Sequence, residues 1–340
     1  MTSLSTDAPL IVAVPSKGRL QEQTLAFFER SGLVIRQARG SRDYFGTIAG
    51  VAGAEVQFRS ASEIAREVGA GNVHLAVTGL DLLHETLGAA HDEIGPGVRL
   101  DDLAPAPAHL VTKLGFGHAN VVAAVPQAWL DVVSMADLAD VAARFRLKHH
   151  RPMRVATKYV ALTRRFLTGH GVSDYLIVES PGATEGAPAA GTAELIVDIT
   201  STGRTLADNG LKVVDDATIM RSEACLVAAT GADWSDTARR AARVMLTRIA
   251  ADARARSVRR VEAAVSGADR LAAVAANRFG TTLLLPPDGD RLVLLAPAKA
   301  IHDLSSFLIE EGARGVAVSA VDYVFEAENR LYDALARRIG

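Results

Sequence analysis

Short apolar runs alternate with amphipathic segments along the first hundred residues of the chain. Leu10–Val14, Glu55–Arg59 and Val73–Val77 have the length and composition of strands. Apolar residues at helical spacing follow these runs, as in the segment after Pro15. Repeated strand–helix units predict an open, mostly parallel sheet covered by helices, which is the α/β class.

A second set of strand-like runs follows a stretch interrupted by Pro105 and Pro107, where we expect a domain boundary. Helical segments, notably Lys158–Leu167, separate several of these runs, which predicts a second α/β lobe. The runs are Leu110–Leu114, Val121–Val125, Arg154–Thr157, Leu176–Val178 and Leu195–Ile199. Pro181–Gly191, rich in glycine, alanine and proline, is predicted as a long surface loop, and such loops often carry function.

The last hundred residues have a different pattern. An arginine-rich helix is predicted over Asp236–Arg260. The strands predicted after it are Val261–Val265, Thr281–Leu285, Arg291–Leu295 and Gly315–Ser319, and the helices are Ala268–Asn277 and Ala298–Glu311. The resulting order β-α-β-β-α-β is that of a ferredoxin-like unit, so we expect a C-terminal α+β domain.

Composition narrows the class of protein. The 340 residues include 37 Lys and Arg against 39 Asp and Glu, and this net charge of −2 favours neither nucleic acid nor an anionic membrane as a partner. The helix Asp236–Arg260 lacks interleaved aromatic residues, so a solvated face or a subunit contact explains its arginines better than nucleic-acid binding.

Cysteine and hydrophobic content exclude further classes. Cys225 is the single cysteine, which excludes an intrachain disulfide, and the histidines lack metal-ligand spacing. No apolar run approaches the roughly 20 residues of a membrane span, and Leu10–Val14 is too short for a signal-peptide core. We therefore expect a cytoplasmic protein.

The strongest chemical signal lies where an apolar strand ends in an acid, Asp198, and continues into small hydroxyl residues. The segment is Asp198-Ile199-Thr200-Ser201-Thr202-Gly203-Arg204-Thr205-Leu206. Gly203 permits close backbone approach, and the hydroxyls and the amides at the start of the next helical turn can donate to one anion. The segment predicts a phosphate-binding loop, with a Ser/Thr-rich turn that caps a helix as the alternative.

Several motifs together resemble the ATP phosphoribosyltransferase family. This chain resembles the signature of that family in both residues and spacing. The matching residues are Glu185, Gly191, Ala193, Ile196 and Asp198, followed by Thr202-Gly203-Arg204-Thr205-Leu206. Other matching motifs are Pro15-Ser16-Lys17-Gly18-Arg19-Leu20, Thr78-Gly79-Leu80-Asp81, Gly115-Phe116-Gly117-His118, Arg154-Val155-Ala156-Thr157-Lys158-Tyr159 and the segment 179–188. The resemblance runs continuously from about Leu10 to Ala229.

The resemblance implies a fold and a reaction. The fold is a two-lobed core like the type II periplasmic-binding proteins, with the active site between lobe I (residues 1–104 plus 217–232) and lobe II (105–216), and with a C-terminal ferredoxin-like domain (235–340). The implied enzyme is a pentosyltransferase that joins ATP to phosphoribosyl pyrophosphate (PRPP). It forms phosphoribosyl-ATP and pyrophosphate with the assistance of Mg²⁺, in the first step of L-histidine biosynthesis. Such a displacement depends on positioning and electrostatics and requires no protein nucleophile.

The resemblance and the chemistry of the side chains also imply roles for individual residues. Asp198 and Glu185 are the expected catalytic acids, which bind ribose hydroxyls, order the loop or orient a magnesium-bound water. The expected PRPP-binding residues are Asp198, Thr200, Ser201, Thr202, Gly203, Arg204 and Thr205, and the expected ATP-binding residues are Lys17, Gly18, Arg19, Arg59, Thr78, Gly79 and Asp81. The magnesium ligands and the role of Lys158 stay open.

Structural alternatives exist for the ATP-binding set. Lys17 and Arg19 are also interpretable as solvated charges, although cations are mildly unfavourable in the first turn of a helix. Arg59 is equally interpretable as a surface residue. Asp81 has the alternative of capping the start of its own helix.

The resemblance also implies partners. A C-terminal domain in this position binds histidine as a feedback inhibitor in long members of the family, and short members rely on a regulatory subunit resembling a histidyl-tRNA synthetase. A homo-oligomer, either a dimer or a hexamer, is expected. The alternative functions are a non-catalytic small-molecule binder of the periplasmic-binding-protein type, and a phosphoribosyltransferase that acts on another base.

Overall fold

A computed structural model describes residues 7–37, 44–88, 104–180 and 182–340 of the chain. Within these residues the chain divides into two compact units. The first unit contains Ile35–Ala241 together with the chain up to Phe27 and the segment Leu335–Gly340, and the second contains Phe28–Val34 and Ala242–Ala334.

The helices and strands alternate along the whole chain. Up to the last strand of lobe I they are β1 (Leu10–Pro15), α1 (Gly18–Arg30), β2 (Ile35–Gln37), β3 (Phe45–Ile48), β4 (Ala54–Arg59), α2 (Ala61–Ala70), β5 (Leu75–Gly79), α3 (Leu80–Leu87), β6 (Ala108–Lys113), β7 (Ala119–Pro126), α4 (Met135–His149), β8 (Met153–Thr157), α5 (Val160–Gly169), β9 (Tyr175–Glu179), β10 (Leu195–Thr200), α6 (Arg204–Asp208), β11 (Leu211–Ser222) and β12 (Ala224–Ala229). The later elements are α7 (Asp236–Ser257), β13 (Val258–Ala264), α8 (Ala268–Phe279), β14 (Thr282–Leu283), β15 (Arg291–Pro297), α9 (Ile301–Glu310), β16 (Val316–Ser319) and α10 (Arg330–Ile339).

The sheet of lobe I is built around three parallel strands. Among the described residues its order is β2-β3-β4-β1-β5-β12-β6, and β1 pairs in parallel with both β4 and β5. Leu10 and Val12–Val14 of β1 are buried, which matches the nearly continuous apolar pattern of a parallel strand covered on both faces. The carboxyl ends of β1, β4 and β5 therefore meet at one edge of the sheet.

The sheet of lobe II repeats this arrangement. Its order is β11-β7-β10-β8-β9 in the described chain, and β8 pairs in parallel with β9 and β10. In each lobe the third parallel strand (β5 or β10) pairs with an antiparallel strand that arrives from the other lobe (β12 or β7). This repeated order confirms the predicted two-lobed core of the periplasmic-binding-protein type.

The chain crosses between the lobes at residues 114–118 and at residue 223, later than the sequence pattern indicated. Strand β6 pairs with β12 in lobe I, so the change of lobe predicted at residue 105 comes too early. Pro105 and Pro107 precede a strand of the same lobe and do not mark a crossing. Likewise β11 remains paired with β7 as far as Ser222, so the return predicted at residue 217 is also too early.

Several elements differ from the predicted pattern. Five predicted strands correspond to β6 to β10 with shifted ends, whereas β2, β3 and the long strand β11 were not expected. Strand β11 carries exposed charged residues and irregular register, which obscures the alternation of a strand. Of the predicted surface loop at residues 181–191, residue 181 lies outside the described chain, and Thr184–Gly186 form a 3₁₀ turn.

The C-terminal unit contains the predicted ferredoxin-like sheet. In the described residues its order is β14-β15-β13-β16, and all neighbouring strands are antiparallel. Leu271 of α8 and Leu304 and Leu308 of α9 are buried in a core with β13 and β15. The predicted strand Thr281–Leu285 contains only the two residues of β14, which is followed by Pro286 and Pro287. Among the described residues no helix combines the length and apolar character that crossing a membrane requires.

Candidate functional site

The candidate site lies at the strand ends that face the crossings between the lobes. In lobe I the carboxyl ends of β1, β4 and β5 lead directly into Lys17, Ser60 and α3. In lobe II the ends of β8 and β10 lead into Lys158 and the loop 200–205. Ligands of open α/β sheets bind outside the carboxyl ends of such strands. The predicted site residues therefore lie at the carboxyl ends of parallel strands in each of the two lobes.

The predicted phosphate loop joins β10 to the short helix α6. Gly203 adopts φ +75°, and a Cβ placed there would meet no atom within 4 Å, so the backbone borders open space. The Thr200 hydroxyl accepts a hydrogen bond from the Gly203 amide at 2.9 Å, which fixes the turn. The Ser201 hydroxyl donates to the His118 carbonyl at 3.0 Å and anchors the loop to the first crossing segment.

Part of the loop remains available to a ligand. Thr202, Arg204 and Thr205 are exposed, and the amides of Thr202 and Thr205 have no hydrogen-bond partner in the part of the chain that the structure describes. The Arg204 guanidinium lies 3.8 Å from Asp208 in a solvent-exposed pair, which binds the arginine only weakly. The loop therefore presents donors at the surface, although the Gly203 amide is already used internally.

Two acids and a lysine converge beside this loop. Asp198, half-buried at the end of β10, accepts a hydrogen bond from the Ile199 amide at 2.8 Å. Burial raises the pKa of Asp198, the Ile199 amide and Lys158 oppose that rise, and Glu185 adds to it. Glu185 lies in the 3₁₀ turn Thr184–Gly186. Glu185 is thus close enough to Asp198 for its charge to raise the pKa of that carboxyl.

A cavity of about 840 Å³ opens on the lobe I side. It is lined by Ser16, Lys17, Gln37, Tyr44, Phe45, Gln57, Phe58, Arg59, Ser60 and Glu63. The Arg59 guanidinium is held by the Gln57 side chain at 2.9 Å and by Glu67 at 3.6 Å. Tyr44 and Phe45 expose aromatic rings in the same cavity as Lys17 and Arg59. Aromatic rings together with cations suit a ligand that has a flat ring and phosphates.

Gly18 and Arg19 lie next to this cavity in sequence without lining it. Both are exposed at the start of α1, where Gly18 adopts φ +72° with open space in place of a side chain. The left-handed conformation explains the glycine, since other residues adopt it only at a cost.

The structure places Thr78 and Asp81 away from open space. The Thr78 hydroxyl, fully buried, donates to the Ala61 carbonyl at 2.9 Å. Asp81 is 5% exposed, and its two carboxylate oxygens accept from the Tyr159 and Ser222 hydroxyls at 2.7 Å each. Asp81 does not cap its own helix in this arrangement. Its carboxylate joins α3 of lobe I to the start of α5 in lobe II.

A second carboxylate of α3 also reaches lobe II. Glu85 accepts hydrogen bonds from the Ala161 and Leu162 amides at 2.9 and 3.0 Å. Helix α5 has no side-chain cap of its own, so Glu85 satisfies amides that the helix start leaves unpaired. Burial raises the pKa of Glu85, while these amides and Arg165 oppose the rise.

The described residues contain no group of three or more His, Cys, Asp or Glu side chains that could hold a metal ion. Mg²⁺ is usually bound by one or two carboxylates together with the phosphates of a substrate. Asp198 and Glu185 would be carboxylates of this kind if an ion bound together with a phosphate-bearing ligand.

Sequence reasoning found the strand ends but missed the contacts that join them. Tyr159 and Ser222 received no role, and Tyr44 and Phe45 were not considered. Glu85 carried a detectable signal, because it follows Asp81 by four residues and so shares a helix face with it. The pairing of Tyr159 with Asp81 has no signal in one sequence, since 78 residues separate the partners.

The fold and the site together define a two-lobed α/β protein suited to anionic, phosphate-bearing ligands. Residues 60–251 match the sequence model described as "HisG: ATP phosphoribosyltransferase". The chain belongs to the ATP phosphoribosyltransferase family.

Relatives named ATP phosphoribosyltransferase match nearly the whole chain. The proteins from Nitrobacter hamburgensis and Bradyrhizobium diazoefficiens are each 52% identical over 96% of this chain, which spans 97% and 98% of their lengths. The protein from Rhodopseudomonas palustris strain HaA2 is 52% identical over 97% of this chain and 98% of its own length. The similarity therefore includes the C-terminal unit, which lies largely beyond the residues matched by the family model.

A solved structure agrees with the fold. The ATP phosphoribosyl transferase (HisG:HisZ) complex from Thermotoga maritima contains a chain that matches 71% of this one and is covered over 96% of its own length. The TM-score is 0.51 at 21% identity, so this comparison supports the fold alone.

Proposed function

We propose that this protein transfers the phosphoribosyl group of PRPP to ATP and releases pyrophosphate, the reaction that opens L-histidine biosynthesis. An adenine ring nitrogen of ATP forms the new bond to the anomeric carbon of the ribose as the bond from that carbon to pyrophosphate breaks. The observation that carries the proposal is the exposed loop 200–205, with free donors at the end of β10 and beside two acids. The family assignment favours this enzyme over a non-catalytic binding protein.

The loop residues Thr200, Ser201, Thr202, Gly203, Arg204 and Thr205 hold the 5-phosphate of PRPP in this proposal. The amides of Thr202 and Thr205 donate directly, and the Thr200 and Ser201 hydroxyls keep the turn in shape. A hydrogen bond to a charged group contributes about 1.5–3 kcal/mol, so a few of them are sufficient to anchor the substrate.

Asp198 and Glu185 act on the ribose end of PRPP. Asp198 accepts hydrogen bonds from ribose hydroxyls, and Glu185 would orient water of a Mg²⁺ ion bound together with PRPP. When bound, the ion neutralises charge on the departing pyrophosphate. No side chain is required as a nucleophile, because the two acids and the loop act by positioning and by balancing charge.

ATP occupies the cavity of lobe I. Lys17 and Arg59 line it and bind phosphates, and the rings of Tyr44 and Phe45 offer stacking surfaces to the adenine. Arg19 adds positive charge at its border, Gly18 keeps the turn open, and Gly79 forms the adjoining start of α3. Thr78 and Asp81 stabilise the turn from the protein side in this proposal.

Arg59→Gln is expected to raise the KM for ATP about tenfold while the KM for PRPP changes less than twofold. The variant loses a charged hydrogen bond to phosphate, which contributes about 1.5–3 kcal/mol. Steady-state kinetics with each substrate varied in turn measures both constants. Arg66→Gln, an exposed arginine of the neighbouring helix α2, is the control and should leave both unchanged. Equal effects on the two substrates would contradict the assignment of this cavity to ATP.

The activity itself is tested with purified protein, ATP, PRPP and Mg²⁺ by following the release of pyrophosphate. The expected release requires both substrates and stops when ATP is replaced by a free purine base. Release with a base in place of ATP would indicate a different phosphoribosyltransferase. Binding of PRPP without release would favour a binding protein.

We further propose that the protein functions as a homo-oligomer, either a dimer or a hexamer. The solved structure from Thermotoga maritima is a complex of two components, HisG and HisZ. We therefore also propose a second, regulatory subunit as a partner, of the kind resembling a histidyl-tRNA synthetase that the sequence resemblance implies. Alternatively, the C-terminal unit of this chain itself regulates the enzyme. In this proposal L-histidine binds to that unit and inhibits the reaction.

Addition of L-histidine to the full-length protein is expected to release or absorb heat in a titration calorimeter and to inhibit turnover. The expectation rests on the ferredoxin-like sheet and its position after the catalytic core. L-Alanine, which has the same backbone groups without the imidazole, is the control ligand. Absence of both heat and inhibition would leave control to a separate subunit.

A further inference from the structure

A buried hydrogen-bond network connects the two lobes beneath the candidate site. The Tyr159 side chain is 1% exposed, and its hydroxyl donates to Asp81 Oδ2 at 2.7 Å. The Ser222 hydroxyl donates to Asp81 Oδ1 at 2.7 Å and accepts from the Asp81 amide at 3.0 Å. Burial and the charge of Asp81 raise the pKa of Tyr159 far above its ordinary value, so the hydroxyl remains a donor at every practical pH.

The same tyrosine supports an exposed cation. The Lys158 ammonium lies 5.0 Å from the centroid of the Tyr159 ring, a distance at which the ring attracts it. Lys158 is exposed and forms no ion pair within the part of the chain that the structure describes. By contrast, Arg151, which precedes β8, and Arg154, near the start of β8, are both bound by Glu194 at 2.8 Å.

Strand register places Lys158 beside the proposed PRPP site. Thr157 pairs with Val197 across β8 and β10, so the residues that follow them, Lys158 and Asp198, lie level on neighbouring strands. Lys158 is close enough to lower the pKa of Asp198. The loop after β10 is proposed for the 5-phosphate, and the other anionic end of PRPP is the diphosphate on the anomeric carbon. Lys158 lies one strand away from the loop, and its positive charge suits the diphosphate.

We propose that Lys158 binds the diphosphate of PRPP and that Tyr159 is a positioning residue, held by Asp81 and Ser222, which keeps the lysine there. The proposal rests on the proposed function of this site. It also explains why an acid of lobe I is buried against a tyrosine of lobe II. The ring of Tyr159 forms the support for the ammonium, and its hydroxyl fixes the angle of that ring.

The test measures PRPP binding by titration calorimetry with Mg²⁺ and measures both KM values, on the full-length protein and its variants. We expect Tyr159→Phe and Lys158→Met each to weaken PRPP binding about tenfold or more, with the KM for ATP changed less than twofold. Lys158→Arg, which keeps the charge, should retain most of the affinity. The double variant should bind PRPP as Lys158→Met does, because the tyrosine acts through the lysine.

Controls separate this role from a purely structural one. Tyr175→Phe, in strand β9 of the same lobe, should leave binding unchanged. A general loosening of the lobes would raise both KM values together, and that result would overturn the proposal. So would wild-type affinity in Tyr159→Phe, or effects of the two single variants that multiply in the double variant.

A second variant covers the case in which Tyr159→Phe does not fold. Ser222→Ala removes the second hydroxyl that donates to Asp81. We expect this variant to weaken PRPP binding by a smaller factor than Tyr159→Phe does. Unchanged affinity in folded Ser222→Ala, judged by its thermal transition, would then overturn the proposal. Failure of the wild-type protein to bind PRPP at all would instead refute the proposed function.

Discussion

Replacing Gly203 with valine is expected to weaken PRPP binding at least a hundredfold. Gly203 adopts φ +75°, and the position of a Cβ is open space on the ligand side of the loop. A valine there occupies the volume proposed for the phosphate and disfavours the backbone conformation by about 1–3 kcal/mol. Loss of two charged hydrogen bonds, each about 1.5–3 kcal/mol, accounts for the hundredfold change or more. Titration calorimetry with PRPP and Mg²⁺ measures it.

The backbone effect needs its own control, because valine strains the loop wherever a ligand binds. Gly171 follows α5 in the same lobe with φ +72° and has the same open surroundings. Gly171→Val should therefore lower the melting temperature to a similar extent while PRPP affinity stays within twofold of the wild type. If the two variants lose PRPP affinity equally, the phosphate is bound elsewhere.

Asp198→Asn is expected to reduce kcat/KM for PRPP by a factor of about 10 to 150, corresponding to a lost charged hydrogen bond of about 1.5–3 kcal/mol. The same variant should melt at a higher temperature than the wild type at neutral pH. Burial raises the pKa of Asp198, so the ionised carboxylate is less stable in the folded chain than in the unfolded one. Asparagine retains an oxygen for the Ile199 amide and carries no charge.

The sign of this effect sets its pH dependence. The destabilisation is complete above the raised pKa of the folded state and disappears as the pH falls below the unfolded value of about 3.9. The difference in melting temperature between variant and wild type should therefore narrow on acidification from pH 7 to about pH 4. Asp140→Asn, on the exposed face of α4, should show no such gain. A variant less stable than the wild type at pH 7 would contradict this account.

The strands and the phosphate loop were predictable because their signals are local. Apolar runs such as Leu10–Val14 are too short for helices, and the acid, hydroxyl residues and glycine of 198–205 follow one of them directly. The ferredoxin-like order of the C-terminal unit was predictable for the same reason. Alternation and turn residues act over a few positions, and tertiary contacts did not override them.

The crossings between lobes and the role of Asp81 were not predictable in this way. The sequence of β6 has the pattern of an ordinary strand and contains no signal for the lobe to which it belongs. Only its pairing with β12 shows that it lies in the sheet of lobe I. Asp81 has the position expected of a ligand-binding acid at the start of a helix. Its burial depends on Tyr159 and Ser222, which approach it only in the folded chain.

The capping of α5 by Glu85 limits how the molecule can be divided. In a lobe II fragment expressed alone, the first turn of α5 would lose the carboxylate that accepts from its amides. In a lobe I fragment, Glu85 would lose the Ala161 and Leu162 amides that donate to it. We therefore expect each lobe to be less stable alone than in the intact chain, because a lost helix cap costs about 0.5–2 kcal/mol. In fragment complementation, each half should become more resistant to unfolding when the other half is added.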